Sequence, residues 1–232
     1  MAAAKAVILL SGGLDSSTVL GIAVSKGREA YALSVNYRQR HHKELAAAKR
    51  IAKHFGVKDH KIVKIDLTQF GGSALTDDRV AVPERRAIED ISRGIPATYV
   101  PARNTILLGL ALGYAESLDA EEIYIAANAI DYSGYPDCRP EFYAAFREVA
   151  RLGTKRGVEG HPIRIHTPLI HMTKADIVRT GAKLGVPFEL TWSCYQGRAK
   201  ACGVCDSCLL RLKGFREAGI KDPLPYEAPP NG

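Results

Sequence analysis

Six residues near the start of the 232-residue chain have the most direct chemistry: Ser11, Gly12, Gly13, Leu14, Asp15 and Ser16. Consecutive glycines allow positive φ and let a ligand approach bare backbone. Where such a turn opens a helix, unsatisfied N–H groups and the positive end of the helix dipole favour a phosphate. Ser11, Ser16 and Ser17 add hydroxyl donors. Asp15 is out of place beside a polyphosphate unless it holds the loop or helps ligate a magnesium ion. The bland alternative is a strand–turn–helix link whose serines and aspartate merely cap the helix. A Walker A loop is excluded because no Gly-Lys-Ser/Thr follows, and no G-x-G-x-x-G occurs.

A second constellation lies near the C-terminus. Cys194, Cys202, Cys205 and Cys208 form a C-x7-C-x2-C-x2-C pattern. Four thiolates complete a closed tetrahedral zinc shell, which leaves no open coordination position and makes the site structural. An iron–sulfur cluster uses the same ligands, and unliganded buried cysteines are the remaining alternative. Cys138 stands outside this cluster, and no neighbour marks it as a nucleophile.

The elements that must position these groups alternate along the chain. Lys5 to Leu10 is a short continuous apolar run, as expected of a strand buried on both faces. Further strands are expected at Ala30 to Asn36, Lys61 to Asp66, Glu122 to Ala127 and Ile163 to His166. Helices are expected at Ser16 to Ser25, Lys43 to Phe55, Asn104 to Ser117, Pro140 to Leu152, Lys174 to Leu184 and Asp206 to Ala218. This alternation predicts an α/β, Rossmann-like doubly wound fold with a mostly parallel sheet. Residues 1–190 read as one α/β domain carrying the glycine loop, and 191–232 as a zinc-binding segment and tail packed on it. Thr68 to Pro101, rich in glycine, proline and charge, breaks the rhythm and reads as a long excursion or a partly mobile flap.

The composition, with 46% hydrophobic and 25% charged residues, excludes wholesale disorder. A net charge of +7 and a pI near 9.2 suit an anionic partner without choosing among nucleotide, phosphate-bearing substrate and RNA. No apolar run approaches the roughly 20 residues of a membrane span. The N-terminal run ends in glycines and reads as a strand rather than a signal peptide, so the expected compartment is the cytoplasm. An odd count of five cysteines, four of them clustered, suggests metal rather than disulfides there.

Three further motifs fall at ligand-facing positions. Tyr37-Arg38-Gln39-Arg40-His41 follows the second strand, Val100 to Asn104 leads into a helix, and Asp131 to Arg139 follows the fourth strand. Ser11 to Ser16 resembles the signature of the PP-loop ATP pyrophosphatases, which hold the pyrophosphate of ATP and transfer AMP to a substrate oxygen. The motifs SGGLDSS, YRQRH, VPARN, NAIDYSGYPDCRPEF, TPL, TWSCY and CGVCDSC, in that order, resemble one branch of these enzymes. That branch is the family of 7-cyano-7-deazaguanine synthases of queuosine biosynthesis.

The resemblance implies ATP, ammonia and 7-carboxy-7-deazaguanine as partners, Zn2+ on the four cysteines and Mg2+ with ATP. It also implies a homodimer, with no membrane and no stable nucleic-acid partner. ATP is assigned to the stretch Leu10, Ser11, Gly12, Gly13, Leu14, Asp15, Ser16, Ser17, Thr18, Val19 and Leu20. Asp15, Arg103 and Lys174 are the catalytic candidates, although Lys174 also reads as a solvated lysine of a first helical turn and Arg103 as a loop salt bridge. Carboxylates are natural acceptors for a guanine-like edge, so Asp131 and Asp137 are candidates for the base, each with turn capping as its alternative. Tyr132, Tyr135, Cys138 and Arg139 complete the expected substrate region. Tyr132, Tyr135 or Trp192 would stack on the base, each with packing as its alternative, and Cys138 reads as a pocket residue or a small buried one. His41 reads equally as an acid/base group and as an exposed helix-start residue. A tRNA-thiolating or other amidating PP-loop enzyme and a zinc-bearing nucleic-acid-binding protein are the competing readings.

Overall fold

Lys5–Leu9 (β1), with the sequence KAVIL, has four of its five residues buried and nothing polar beyond its first position. Such a strand is stable only in the middle of a covered sheet, and that is where it lies. The computed structural model describes residues 3–40, 43–91, 94–130 and 134–227. After β1 come Leu14–Ser25 (α1), Glu29–Asn36 (β2), Lys43–His54 (α2), Asp59–Lys64 (β3), Ile88–Ile91 (α3) and Arg103–Ser117 (α4). Then follow Glu122–Tyr124 (β4), Pro140–Gly153 (α5), Lys155–Val158 (α6), Arg164–His166 (β5), Lys174–Lys183 (α7) and Asp206–Ala218 (α8).

All five strands are parallel, in the order β3-β2-β1-β4-β5. The winding reverses between β1 and β4, so a crevice opens at the carboxyl ends of those two strands. The fold is the expected doubly wound α/β type. The two-residue strand period divides the core: Val7, Leu9, Leu33 and Ile123 meet α4 and α5, while Ala6, Ile8, Ala32 and Tyr124 meet residues of α1, α2, α7 and α8.

Several boundaries differ from expectation. β3 begins at Asp59 rather than Lys61 because it is an edge strand, only partly buried, and its register is set by pairing with β2. β4 ends at Tyr124 rather than Ala127, although Ile125 still donates to the His166 carbonyl at 3.0 Å. The excursion from Thr68 to Pro101 is anchored against the cysteine segment. Ala74 and Val82 pack in one cluster with the four cysteines, Glu84 pairs with Cys205 in an antiparallel bridge, and Arg85 donates to the Val204 carbonyl at 2.8 Å.

Two polar clusters tie the elements together. At the amino end of the sheet, Glu122 is 1% exposed and accepts from Arg28, Arg164 and the Tyr124 hydroxyl. Arg211 of α8, 2% exposed, forms a two-armed pair with Asp222 and donates to the Thr191 hydroxyl and the Phe188 carbonyl. These bonds fix the 188–193 segment and the tail to α8. Among the described residues, no helix is long and apolar enough to cross a membrane.

Candidate active site

Gly12 has φ +87°, and a Cβ there would lie 2.3 Å from the Glu44 carbonyl and 2.4 Å from the Ala48 nitrogen. The loop after β1 therefore passes directly over the first turns of α2, and only glycine fits. Its other side is held by the 191–195 segment, where the Trp192 amide donates to the Gly12 carbonyl at 2.9 Å.

Three of the loop amides expected to be free for phosphate are already engaged, that of Gly13 by the Ser11 hydroxyl oxygen at 3.3 Å. The N–H groups of Ser11 and Gly12 both donate to the Ser16 hydroxyl oxygen at 3.2 Å, and that oxygen lies 2.9 Å from the Ser11 hydroxyl. Ser16 thus shapes the loop. The first three amides of α1, on Leu14, Asp15 and Ser16, donate to no acceptor among the described residues, and helix geometry directs them outward at the positive end of the helix. What the loop offers an anion is therefore the helix start more than the glycines.

The rest of the expected ATP stretch divides by helical rotation. Leu10, Ser11, Gly13, Leu14, Asp15 and Ser16 line a cavity of about 240 Å³ at the carboxyl ends of the strands. Ser17, Thr18, Val19 and Leu20 do not. Ser17 and Thr18 bond back to the carbonyls of Gly13 and Leu14, and Val19 and Leu20 are core residues. Residues 17–20 lie off that lining because successive side chains on a helix point about 100° apart.

Asp15 accepts two hydrogen bonds from the Lys174 ammonium, at 2.9 and 3.0 Å. Lys174 is 6% exposed, which rules out the solvated-lysine reading. Gly214 of α8 lies against its stem: a Cβ at Gly214 would come within 2.3 Å of Lys174 Cγ. Thr173 and Asp176 close a capping box at the start of α7 and fix the turn that carries Lys174.

Arg103, in the first turn of α4, lines the cavity with its guanidinium 6.0 Å from the Tyr37 ring centre. The expected alternative, a salt bridge across the loop, is not present among the described residues. The surrounding Tyr37, Tyr135, Cys138 and Asp137 hold the guanidinium charged against burial, with its pKa raised. Opposite charge comes from Glu44, in the first turn of α2, which also lines the cavity. Burial pushes the Glu44 carboxyl up to about 7, Arg103 pulls it down and Cys194 pushes it further up. Sequence reasoning missed Glu44, since a glutamate in the first turn of an amphipathic helix reads as a solvated, dipole-matching residue. Its one signal was position, just after the YRQRH motif.

The expected substrate loop is only partly in the cavity. Tyr135 and Cys138 line it, as does Trp192, whose ring lies 4.4 Å beneath the Lys43 ammonium. Asp137 is absent from the lining: its carboxylate accepts from the Asn104 amide at 3.0 Å and so caps α4 from another segment. Arg139 is exposed at the start of α5, also outside the cavity, because it occupies that helix's N-cap. Asp131, Tyr132 and His41 lie outside the described residues. Burial pushes the Cys138 thiol up to about 11, so it is a poor nucleophile.

The four clustered cysteines are buried, unbridged, and have their sulfurs within 4.8 Å of one another. A single ion bound by four thiolates at about 2.3 Å holds the sulfurs about 3.8 Å apart, and Cys202 and Cys208 are 3.9 Å apart. Amides of Gln196 and Cys202 point at Cys194 Sγ, and those of Val204 and Cys205 at Cys202 Sγ. The neighbouring Cys205 and Cys208 thiols, and then the amides of Cys202 and Gln196, lower the pKa of Cys194. The donor set and its spacing can hold one metal ion, whereas a multinuclear iron cluster would need the thiolates spread wider.

The model of the family described as queuosine biosynthesis protein QueC matches residues 5–219. The chain belongs to that family. It is 58% identical over 222 residues to the 7-cyano-7-deazaguanine synthase of Nostoc punctiforme, covering 96% of this chain and 99% of that protein. To the synthase of the same name from Coxiella burnetii it is 58% identical over 224 residues, with 96% and 97% covered. Among solved structures, a predicted subunit of tRNA methyltransferase from Methanocaldococcus jannaschii is similar with a TM-score of 0.50 and 16% identity, over 94% of this chain and 90% of that one. That likeness concerns the fold alone.

Proposed function

We propose that the chain converts 7-carboxy-7-deazaguanine and ammonia to 7-cyano-7-deazaguanine, turning ATP into AMP and pyrophosphate. The observation that carries this reading is the match to named synthases over 95% or more of the chain. The cavity geometry supports it: an anion cradle, an arginine and a carboxylate meet at the sheet's switch point.

A carboxylate is a poor electrophile, so its oxygen first attacks the α-phosphorus of ATP and pyrophosphate leaves. The amides at the start of α1 take the departing pyrophosphate. Arg103 offsets the charge of the carboxylate and the α-phosphate, an electrostatic role. Lys174 acts through Asp15 and positions the loop. Ammonia then attacks the acyl adenylate, AMP leaves, and an amide forms. Adenylation of the amide oxygen by a second ATP, followed by loss of AMP and the nitrogen-bound protons, gives the nitrile.

Mg2+ with ATP would supply charge neutralisation at the phosphates. Zn2+ is the ion assigned to Cys194, Cys202, Cys205 and Cys208, with a structural role in tethering the C-terminal segment to residues 74–85. The same reading carries over a cytoplasmic homodimer from the family resemblance, which size-exclusion chromatography with light scattering checks. A sulfur-transfer enzyme is disfavoured because the spare thiol, Cys138, has its pKa shifted up, away from the thiolate.

Incubation with 7-carboxy-7-deazaguanine, an ammonium salt and Mg-ATP should yield the nitrile and AMP by mass spectrometry. Formation of ADP alone, or no nitrile, would overturn the reading.

A further inference from the structure

Two carboxylates among the described residues line the cavity, Asp15 and Glu44. Asp15 is committed to Lys174 through both oxygens. Asp137, the carboxylate that sequence reasoning put forward for the base, is used up in capping α4 and does not reach the cavity. Glu44 differs from both, having no hydrogen bond or ion pair from its side chain among the described residues. Its place is nonetheless fixed, because the backbone of its own helical turn is packed against Gly12. Glu44 is half-buried and lines the cavity, so a ligand that displaces water from its carboxylate must supply donors in return.

The ligand of the proposed reaction has two recognisable edges. Its carboxylate sits on the five-membered ring. The far side of the six-membered ring presents two adjacent N–H donors, the ring N–H and the 2-amino group. Opposite charges lie in one cavity here without closing on each other, since Arg103 and Glu44 form no ion pair. Tyr37, Tyr135, Trp192 and Tyr195 line the same space with flat surface suited to a planar base.

From this arrangement, and resting on the reaction proposed above, we propose that Glu44 is the specificity residue that accepts both N–H donors of the deazaguanine edge. Arg103 then faces the carboxylate at the other end of the base. A site built to pair with a substrate N–H rejects an analogue lacking it, because the buried acceptor is left unsatisfied.

The test compares 7-carboxy-7-deazaguanine with the analogue lacking the 2-amino group, on wild-type enzyme and on Glu44→Gln. Wild type should prefer the parent base by about 100-fold or more in kcat/KM. Glu44→Gln should raise KM for the parent base by about 10- to 100-fold, lose most of that preference, and keep KM for ATP within about twofold. Glu44→Asp, which keeps the charge but shortens the reach, should fall between, and it replaces Glu44→Gln if that variant does not fold. Equal handling of the two bases by wild type overturns the proposal, as does a Glu44→Gln effect confined to KM for ATP or ammonium. Wild-type enzyme that forms no nitrile from the parent base instead defeats the proposed function, so the two failures are distinguishable.

Discussion

The Asp15–Lys174 pair shows how one residue's role depends on its burial. Removing one partner of a buried pair strands the other charge, which typically costs about 3–5 kcal/mol. Asp15 retains some exposure, with a side chain 19% accessible, so Lys174→Met should cost about 2–3 kcal/mol, just below that range. It should also raise KM for ATP, as the helix start that carries Asp15 loses its tether. Adding Asp15→Asn should recover part of the stability, since no lone charge remains. Urea unfolding of the two variants checks this, and equal stability of Lys174→Met and wild type would sink it. The sequence presented Lys174 only as one lysine in a first helical turn. The ion pair spans 159 positions of chain, and no local pattern reports a contact of that separation.

At the scale of elements, the loop after β1 and the first turns of α2 form one packed unit. Gly12→Ala forces a side chain into positive φ and against two backbone atoms of α2, which have no rotamer by which to yield. Its KM for ATP should rise by about tenfold or more with a lowered melting temperature, and an unchanged KM would show that α2 can shift. The opposite end of the sheet answers to pH. Hydrogen bonds from Arg28, Arg164 and Tyr124 outweigh burial and hold the Glu122 carboxyl at about 2, below its ordinary 4.5. A lowered folded-state pKa gives stability that is present above pH about 4.5 and lost as pH falls towards 2. Glu122→Gln should therefore unfold more readily at pH 7, by about 3 kcal/mol, and show a flatter acid limb below pH 4.5. Identical acid limbs in thermal melts against pH would contradict this. Helix and strand positions were largely legible here because buried strands are continuous apolar runs and α2 and α5 are amphipathic. The edge strand β3 was misplaced by two residues, since a half-buried strand takes its register from its neighbour.

For the whole molecule, the cysteine segment is a joint. It contacts the 74–85 excursion through Ala74, Val82 and Glu84, reaches α2 through Lys43 and Trp192, and returns to the loop after β1 through the Trp192–Gly12 bond. Removing a bound ion with a strong chelator at neutral pH should lower the melting temperature and activity together, although the cysteines do not line the cavity. Cys205→Ser should do the same without chelator. Metal analysis and differential scanning fluorimetry on one preparation check both; a fully metal-free protein with unchanged melting temperature would exclude a structural ion.

The sequence alone determined the sheet, the loop after its first strand, the four-cysteine set and the family. These are local or periodic patterns, in which residue type and spacing suffice to specify conformation and ligand chemistry. Tertiary structure decided which residues share the cavity. It brought Glu44 in, sent Asp137 to cap a helix, left Arg139 at the surface, and turned Ser17 to Leu20 away from the cavity. It also anchored the 68–101 excursion on the cysteines. Each of these depends on which segments, distant in sequence, are brought together by burial of the two faces of the sheet. A linear pattern names the groups able to do the chemistry; packing selects those that face the substrate.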